Sequence, residues 1–570
     1  MKNTTKYCLL AALMLSFASC EDFLDTESFT QKNTGNFPVT ETDAEQMMAA
    51  IYNYLGRANG ANGGYIQGSF YLASELACDD RLGGAGPGDQ QMQAIDLLRE
   101  FSIDQTNNWW IARYQGVNRA NSAIENLDKC EVSDTKRQKY LGEAYFLRAF
   151  FYYELASMFE KVPLHLTTEA KPLPQASPDA TWGQIIADLK KAIELMPAEK
   201  TPASDAGHVD KYVAEAMMGR AFLFYTGFYG KTEVALPDGS TVNKQQVIGW
   251  IDDCVENSGY ELVPDFRNLW AYANRLTRKD YPFMEGVQGA WPEDDGGINP
   301  EAMFAIKFNK HAGWGWDVGF TNGYAVFTGM RGGDADWAFP VGQGWGAGPV
   351  APNLWNDWPD GDLRKRASIC EVSTELPNAK RGGGWGDWIQ ETGYFFKKGA
   401  SFSCKDGSGA RVDPFDKVMY NTTTQWDINI IHDLVLIRFA DVLLMQSELK
   451  EDATGMNRVR ARAGLAPIGY SLEALQAERR YELAFEGTRW NDIRRWGAEY
   501  AKAALEKQAG EPIFISGLPT YNKPAGSYSA RYDKTRGFFP IPETQITLAD
   551  GLYVQNPGWD VDKYTSWDSN

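Results

Sequence analysis

Two stretches 72 residues apart carry the same frame. Residues 143–153 read Glu-Ala-Tyr-Phe-Leu-Arg-Ala-Phe-Phe-Tyr-Tyr, and residues 215–225 read Glu-Ala-Met-Met-Gly-Arg-Ala-Phe-Leu-Phe-Tyr. The shared pattern, E-A-x-x-x-R-A-F-x-x-Y, puts small alanines where two helix backbones cross and aromatic rings where neighbouring helices leave space. The offset is close to two periods of about 34 residues, the spacing of tetratricopeptide helix pairs. The frame therefore predicts a mainly α chain built on a tetratricopeptide-like helix-pair array. Apolar residues recur at helical spacing through 41–55, 110–127, 139–159, 182–195 and 211–229. Thr40 is placed to cap the first of these helices, and Pro163 and Pro172 punctuate the exit from the third.

From about Asp280 to Thr424 the helical period disappears. Glycine and tryptophan become dense, with Trp291, Trp314, Trp316, Trp337, Trp345, Trp355, Trp358, Trp385 and Trp388 in one region and a strand-like run at Met303–Phe308. Long irregular segments in a compact protein are usually functional. Helical patterning returns over 434–450, 456–463 and 471–496, and the tail after Glu511 is irregular and proline-rich. The organisation read from this is a signal at 1–19, an N-terminal anchor segment at 20–40, a helical region at 41–279, a loop-rich ligand-binding region at 280–430, and C-terminal helices with a tail at 431–570.

The N-terminus reads as an export signal. Lys2 and Lys6 precede an apolar run from Tyr7 to Phe17, too short to span a bilayer, and Ala18 and Ser19 stand before Cys20. That resembles a bacterial lipobox, in which Cys20 is acylated and becomes the first mature residue; Phe17 departs from the usual aliphatic residue. The acidic stretch Glu21-Asp22-Phe23-Leu24-Asp25 resembles a surface-export signal. The formal charge is −19, and losing Lys2 and Lys6 with the signal makes it −21. Such a chain repels nucleic acid and anionic headgroups. No later segment is long and apolar enough for a membrane helix, so attachment is expected through the lipid alone. Cys78, Cys130, Cys254, Cys370 and Cys404 are scattered and odd in number, which is neither a disulfide framework nor a zinc site.

The C-terminal part has a distinctive block. Residues 478–497 read Glu-Arg-Arg-Tyr-Glu-Leu-Ala-Phe-Glu-Gly-Thr-Arg-Trp-Asn-Asp-Ile-Arg-Arg-Trp-Gly. Upstream stand Arg438-Phe439-Ala440-Asp441-Val442-Leu443-Leu444 and Asn457-Arg458-Val459-Arg460-Ala461-Arg462-Ala463-Gly464-Leu465, and downstream Phe539-Pro540-Ile541-Pro542 and Gln555-Asn556-Pro557-Gly558-Trp559. With the start at Cys20 and Phe159-Glu160-Lys161-Val162-Pro163-Leu164, these motifs closely resemble the SusD/RagB family of Bacteroidetes outer-membrane lipoproteins, in order along essentially the whole chain. The link between Glu448 and Asn457 is shorter than usual. Physically, Arg479, Arg480, Glu482, Glu486, Arg489 and Arg494 alternate in sign at helical spacing, as buried ion-pair networks require, and Leu483, Phe485 and Trp490 read as core.

The resemblance implies a non-catalytic binding protein whose helix-pair array has about four pairs. It implies a lid on a TonB-dependent SusC-like transporter, facing the cell exterior, that captures an oligosaccharide and hands it into the barrel. A RagB-like lid for peptides is the alternative. Sugar rings pack their C–H faces on open aromatic rings, and their hydroxyls bond polar side chains at the edge. The expected glycan contacts are Trp314, Trp316, Asn322, Asp334, Trp337 and Trp345 in the segment 311–346, which also holds Tyr324. To these are added Asp79, Asp80 and Arg81 before the glycine-rich 83–88 loop, and Trp109, with its neighbour Trp110 assigned to the core. No cofactor is expected. Residues 293–297 and 360–362 carry oxygen groups suited to calcium, but turn chemistry accounts for both. A glycoside hydrolase would need two carboxylates at a defined separation, and no such motif stands out.

Overall fold

The computed structural model describes residues 37–60, 66–86, 89–100, 104–311, 320–332, 336–376, 389–422, 425–559 and 564–566. The expected signal and lipid anchor at Cys20, and the expected ligand contacts Trp314, Trp316 and Asp334, lie outside these residues.

Eight helices of the described residues pack in series. They are α1 (Glu41–Arg57), α2 (Asn107–Asn126), α3 (Asp134–Phe159), α4 (Pro178–Leu195), α5 (Lys211–Tyr229), α6 (Lys244–Asn257), α7 (Phe439–Lys450) and α8 (Thr454–Arg462), each resting on the next. Their starts are chemically marked. Thr40 forms a capping box with Asp43, Asn243 forms one with Gln246, and Ser133, Ser177 and Asp210 each accept a backbone N–H of the first turn. These caps satisfy amides that have no partner inside the helix.

The repeated frame occupies α3 and α5. Ala144, Ala149, Ala216 and Ala221 are fully buried. Each frame arginine crosses to another helix: Arg148 holds Asp188 of α4 through two bonds of 2.7 Å, and Arg220 holds Asp441 of α7 at 2.7 Å. At the α2–α3 crossing, a Cβ on Gly116 would stand 2.6 Å from the Phe151 ring, so only glycine lets the helices close here.

The expected single helix 471–496 is two. Ser471 caps α9 (Leu472–Leu483), the chain turns, and α10 (Arg489–Arg495) follows, then α11 (Ala498–Glu506). Phe485 and Gly487 both take positive φ at this break, conformations a continuous helix cannot hold. The helical patterning from 434 begins instead as a strand: β2 (Leu434–Arg438) pairs antiparallel with β1 (Ala302–Ile306) and runs directly into α7. This ribbon fastens the irregular middle region to the helical series. The tail holds a hairpin of Pro512–Ile515 with Leu518–Tyr521 and a helix over Ser527–Thr535. Cys78, Cys130, Cys254, Cys370 and Cys404 are buried free thiols.

Candidate ligand platform

The irregular region builds a small aromatic platform from short pieces. Asn322 caps the helix Gly323–Thr328, its side-chain oxygen accepting the Ala325 amide at 3.1 Å. Alongside this helix runs the extended segment 344–347, tied by four backbone bonds: Gly344 to Met330, Trp345 to Val326, Gly346 to Gly329 and Ala347 to Phe327, donor first, all 2.9–3.0 Å. The approach is so close that a Cβ on Gly344 would lie 2.3 Å from the Gly329 backbone. Glycine here is what lets Trp345 be presented on a rigid edge.

The Trp345 indole is half-buried. It meets Phe327 edge-on with centroids 4.5 Å apart, and Trp426 at 6.5 Å and 88°. Trp337 is half-exposed on the turn Asp336–Ala338 of the same loop. Polar groups border the segment. Arg331 reaches the Trp345 carbonyl at 3.5 Å and lies 3.7 Å from Asp89, and the Asp413 carboxylate accepts the Gln343 amide at 2.8 Å. Half-open rings beside guanidinium, carboxylate and amide groups suit a ligand with apolar faces and hydroxyl edges.

The two segments expected to meet the ligand are joined here, though not by the side chains expected. The glycine-rich loop pairs with the platform strand: Ala85 donates to Gly346 at 2.8 Å and Gly348 donates to Gly83 at 3.0 Å. The residues before that loop are its foundation. Asp79, Asp80 and Arg81 are at most 1% exposed. Asp79 receives two bonds of 2.7 Å from Arg489, and Asp80 one of 2.7 Å from Arg480. Burial opposes the charge of Asp79, yet the guanidiniums of Arg489 and Arg480 hold its carboxyl far below the usual carboxylate range. Arg81 lies among the rings of Phe396, Phe485 and Tyr324, with Glu75 3.2 Å away. These three residues are therefore corrected from ligand contacts to buried supports, since a charge this deep is kept only by its partners.

Trp109 and Asn322 need the same correction. Trp109 is fully buried against Phe159 at 5.9 Å, as core as its neighbour Trp110. Asn322 is 1% exposed and used by the cap, and Tyr324 is buried with its hydroxyl on Glu75. The wider tryptophan run divides likewise. Trp291 and Trp358 are core, while Trp355 is half-buried, stacked on Tyr394 at 5.0 Å. Trp426 escapes a reading of the sequence because it stands alone after a polar run, Asn421-Thr422-Thr423-Thr424-Gln425; a lone ring in such a run is the available signal.

The C-terminal motifs form the expected buried ion-pair network. Glu482 meets Arg364, Arg438 and Arg462; Asp441 meets Arg220 and Arg479; Asp492 meets Arg479 and Arg495. Burial works against the charge of Glu482, but its three arginines keep it well below the ordinary range. Among the described residues no three His, Cys, Asp or Glu side chains gather as a metal site. Asp294 and Asp295 instead face Arg275, Asp362 faces Arg364, and Asp360 faces Lys365.

Known proteins are similar to this chain in sequence and in fold. Residues 354–559 match the SusD family, and residues 22–223 match the family described as starch-binding associating with outer membrane. SusD-like protein P2 of Formosa agariphila is 24% identical over 507 residues, covering 84% of this chain and 85% of that protein. A SusD-like protein of Bacteroides ovatus is 22% identical over 525 residues, covering 86% and 82%. Among solved structures, a laminarin binding SusD-like protein superposes with a TM-score of 0.69 at 24% identity, over 91% of this chain and 100% of the other. Surface glycan-binding protein A from Bacteroides thetaiotaomicron, in complex with laminarihexaose, gives 0.68 at 19% identity over 91% and 100%. Helical series, platform and C-terminal network thus occur together in a chain matched over 354–559 and 22–223 by these two related families, and the chain belongs to the SusD family.

Proposed function

We propose that this protein is a cell-surface glycan receptor. It captures an oligosaccharide on the loop platform and delivers it to a TonB-dependent SusC-like transporter, tethered to the outer membrane through an acylated Cys20. The observation that carries this reading is the half-open Trp345 ring, held on a glycine-rich edge, met edge-to-face by Trp426 from its own turn and bordered by Arg331, Gln343 and Asp413, with the half-exposed Trp337 on the turn before it. Family membership supports it, since SusD-like proteins bind carbohydrate rather than cleave it. No helix of the described residues is long and apolar enough to cross a membrane.

Titration calorimetry of the mature chain against soluble polysaccharides tests the reading, beginning with laminarin because structural neighbours bear that ligand. Binding to one glycan that weakens on Trp345→Ala supports it. Heat only with peptide mixtures moves the chain to the peptide-capturing branch. Co-purification of a TonB-dependent barrel from native membranes tests the delivery step.

A further inference from the structure

A second groove lies on the helical series, formed by α2, the end of α1, the 163–170 segment and the C-terminal tail, and encloses about 600 Å³. That falls within the range of small-ligand sites. It shares no lining residue with the Trp345 cluster. Its wall is aromatic. The Trp110 ring stands 5.0 Å from Tyr114 and 6.3 Å from Tyr553, and Tyr54 adds a half-buried ring from α1.

The wall is fixed from behind. Tyr114 donates its hydroxyl to the Pro163 carbonyl at 2.9 Å, and Asn121 donates to the carbonyls of His165 and Thr167 at 2.9 and 3.0 Å. Gln545 holds the tail to α2 through Asn107 at 2.8 Å. The rim is different in kind. Gln115, Asn118 and Arg119 are exposed at i, i+3 and i+4 of α2, so they point to one side, and none of the three side chains has a hydrogen-bond partner among the described residues. The rim carboxylate Glu169 is paired with Lys171 at 2.7 Å.

We propose that this groove is a second saccharide site, taking a neutral oligosaccharide whose rings lie on Tyr553 and Tyr114 and whose hydroxyls meet Gln115, Asn118 and Arg119. The inference rests on the receptor reading above and adds a second contact for the same class of ligand. Rigid rings with free amide and guanidinium donors at one edge are what such a ligand requires. Two separated sites would let a long polysaccharide bind by avidity.

The test is calorimetry of the mature chain with laminarihexaose, maltohexaose and cellohexaose. Four forms are compared: wild type, Trp345→Ala, the rim pair Gln115→Ala with Asn118→Ala, and all three changes together. Alanine at exposed helix positions keeps α2 intact, and circular dichroism verifies it. The expected result is two sites in the wild type, one surviving in Trp345→Ala, and that one weakened roughly tenfold or more when the rim pair is added. The proposal is overturned if Trp345→Ala removes all binding, in which case the platform is the whole receptor and the reading of function stands. It is equally overturned if the rim pair changes nothing in either background. Loss of all binding in the rim pair, with Trp345→Ala unaffected, supports the groove and removes the platform. No heat in the wild type with any of the three hexasaccharides, where a polysaccharide of the series above does bind, overturns the groove and leaves the reading of function standing; no heat with either set overturns both.

Discussion

The Trp345 and Trp426 indoles meet at 6.5 Å with their planes at 88°, although 81 positions of sequence separate them. One ring comes from the strand-like edge beside the Gly323–Thr328 helix and the other from the turn Trp426–Ile428. Edge-to-face pairs of this kind are worth about 0.5–1.5 kcal/mol beyond burial. If Trp426 orients Trp345 for a sugar, Trp426→Ala will weaken glycan binding by up to about tenfold without abolishing it. Trp345→Ala will cost more, because it removes the stacking face itself. Dissociation constants for the two variants decide this; equal losses would make Trp426 a direct contact instead.

Asp79 offers the opposite case. Its sequence context reads as a ligand contact, and the fold makes it the anchor of Arg489. Removing one partner of a buried pair costs about 3–5 kcal/mol. Asp79→Asn will therefore lower the melting temperature sharply, while the fraction that remains folded binds glycan with unchanged affinity. A changed dissociation constant at a temperature where the variant is fully folded would return Asp79 to the ligand.

The Gly83 amide donates to Asp96 at 3.1 Å, so the loop that pairs with the platform strand rests on a buried carboxyl. Burial pushes the Asp96 carboxyl up to about 7 from 3.8, against the opposing pull of the Gly83 amide and Lys523. Between those values the folded state holds a proton that the unfolded chain has released, so stability falls as pH rises from about 4 to about 7 and levels off above. Asp96→Asn will flatten that part of the curve. Chemical denaturation of both forms at pH 5, 6 and 8 measures the difference in slope, and identical slopes would sink the assignment.

The scaffold is far more legible in the sequence than the site, for a physical reason. Helices are written locally: Thr40, Ser133 and Asp210 mark starts at their own positions, and the E-A-x-x-x-R-A-F frame stands in the two helices that carry it, α3 and α5. The ion pairs of Arg479 and Glu482 are readable because sign alternation on a helix is a local pattern too. The strand 434–438 reads as helix because its four-residue apolar run, 434–437, carries no period of its own. The platform is not local. Whether an indole is open depends on what packs against it from elsewhere, as Phe159 does for Trp109 and Tyr481 for Trp358, and composition cannot tell a core indole from a presented one. Asp79 misleads for the same reason, since its partners Arg480 and Arg489 lie some four hundred positions downstream.

Gly116 is a position where two forces of opposite sign can be weighed. It sits mid-helix in α2, where alanine would be favoured by about 1 kcal/mol on propensity alone. Packing opposes that gain and outweighs it. The Phe151 ring of α3 lies 2.6–3.0 Å from where a Cβ would be, and the ring is fully buried. Overpacking of this kind costs about 1–3 kcal/mol, so Gly116→Ala is expected to destabilise by up to about 2 kcal/mol. Phe151→Leu will destabilise by itself through lost burial, but the double variant will be more stable than the sum of the two losses predicts, because the shorter side chain removes the clash. A double-mutant cycle by denaturant titration gives that coupling directly. A coupling near zero would mean that the α2–α3 crossing relaxes freely and that Gly116 is not what sets its closeness.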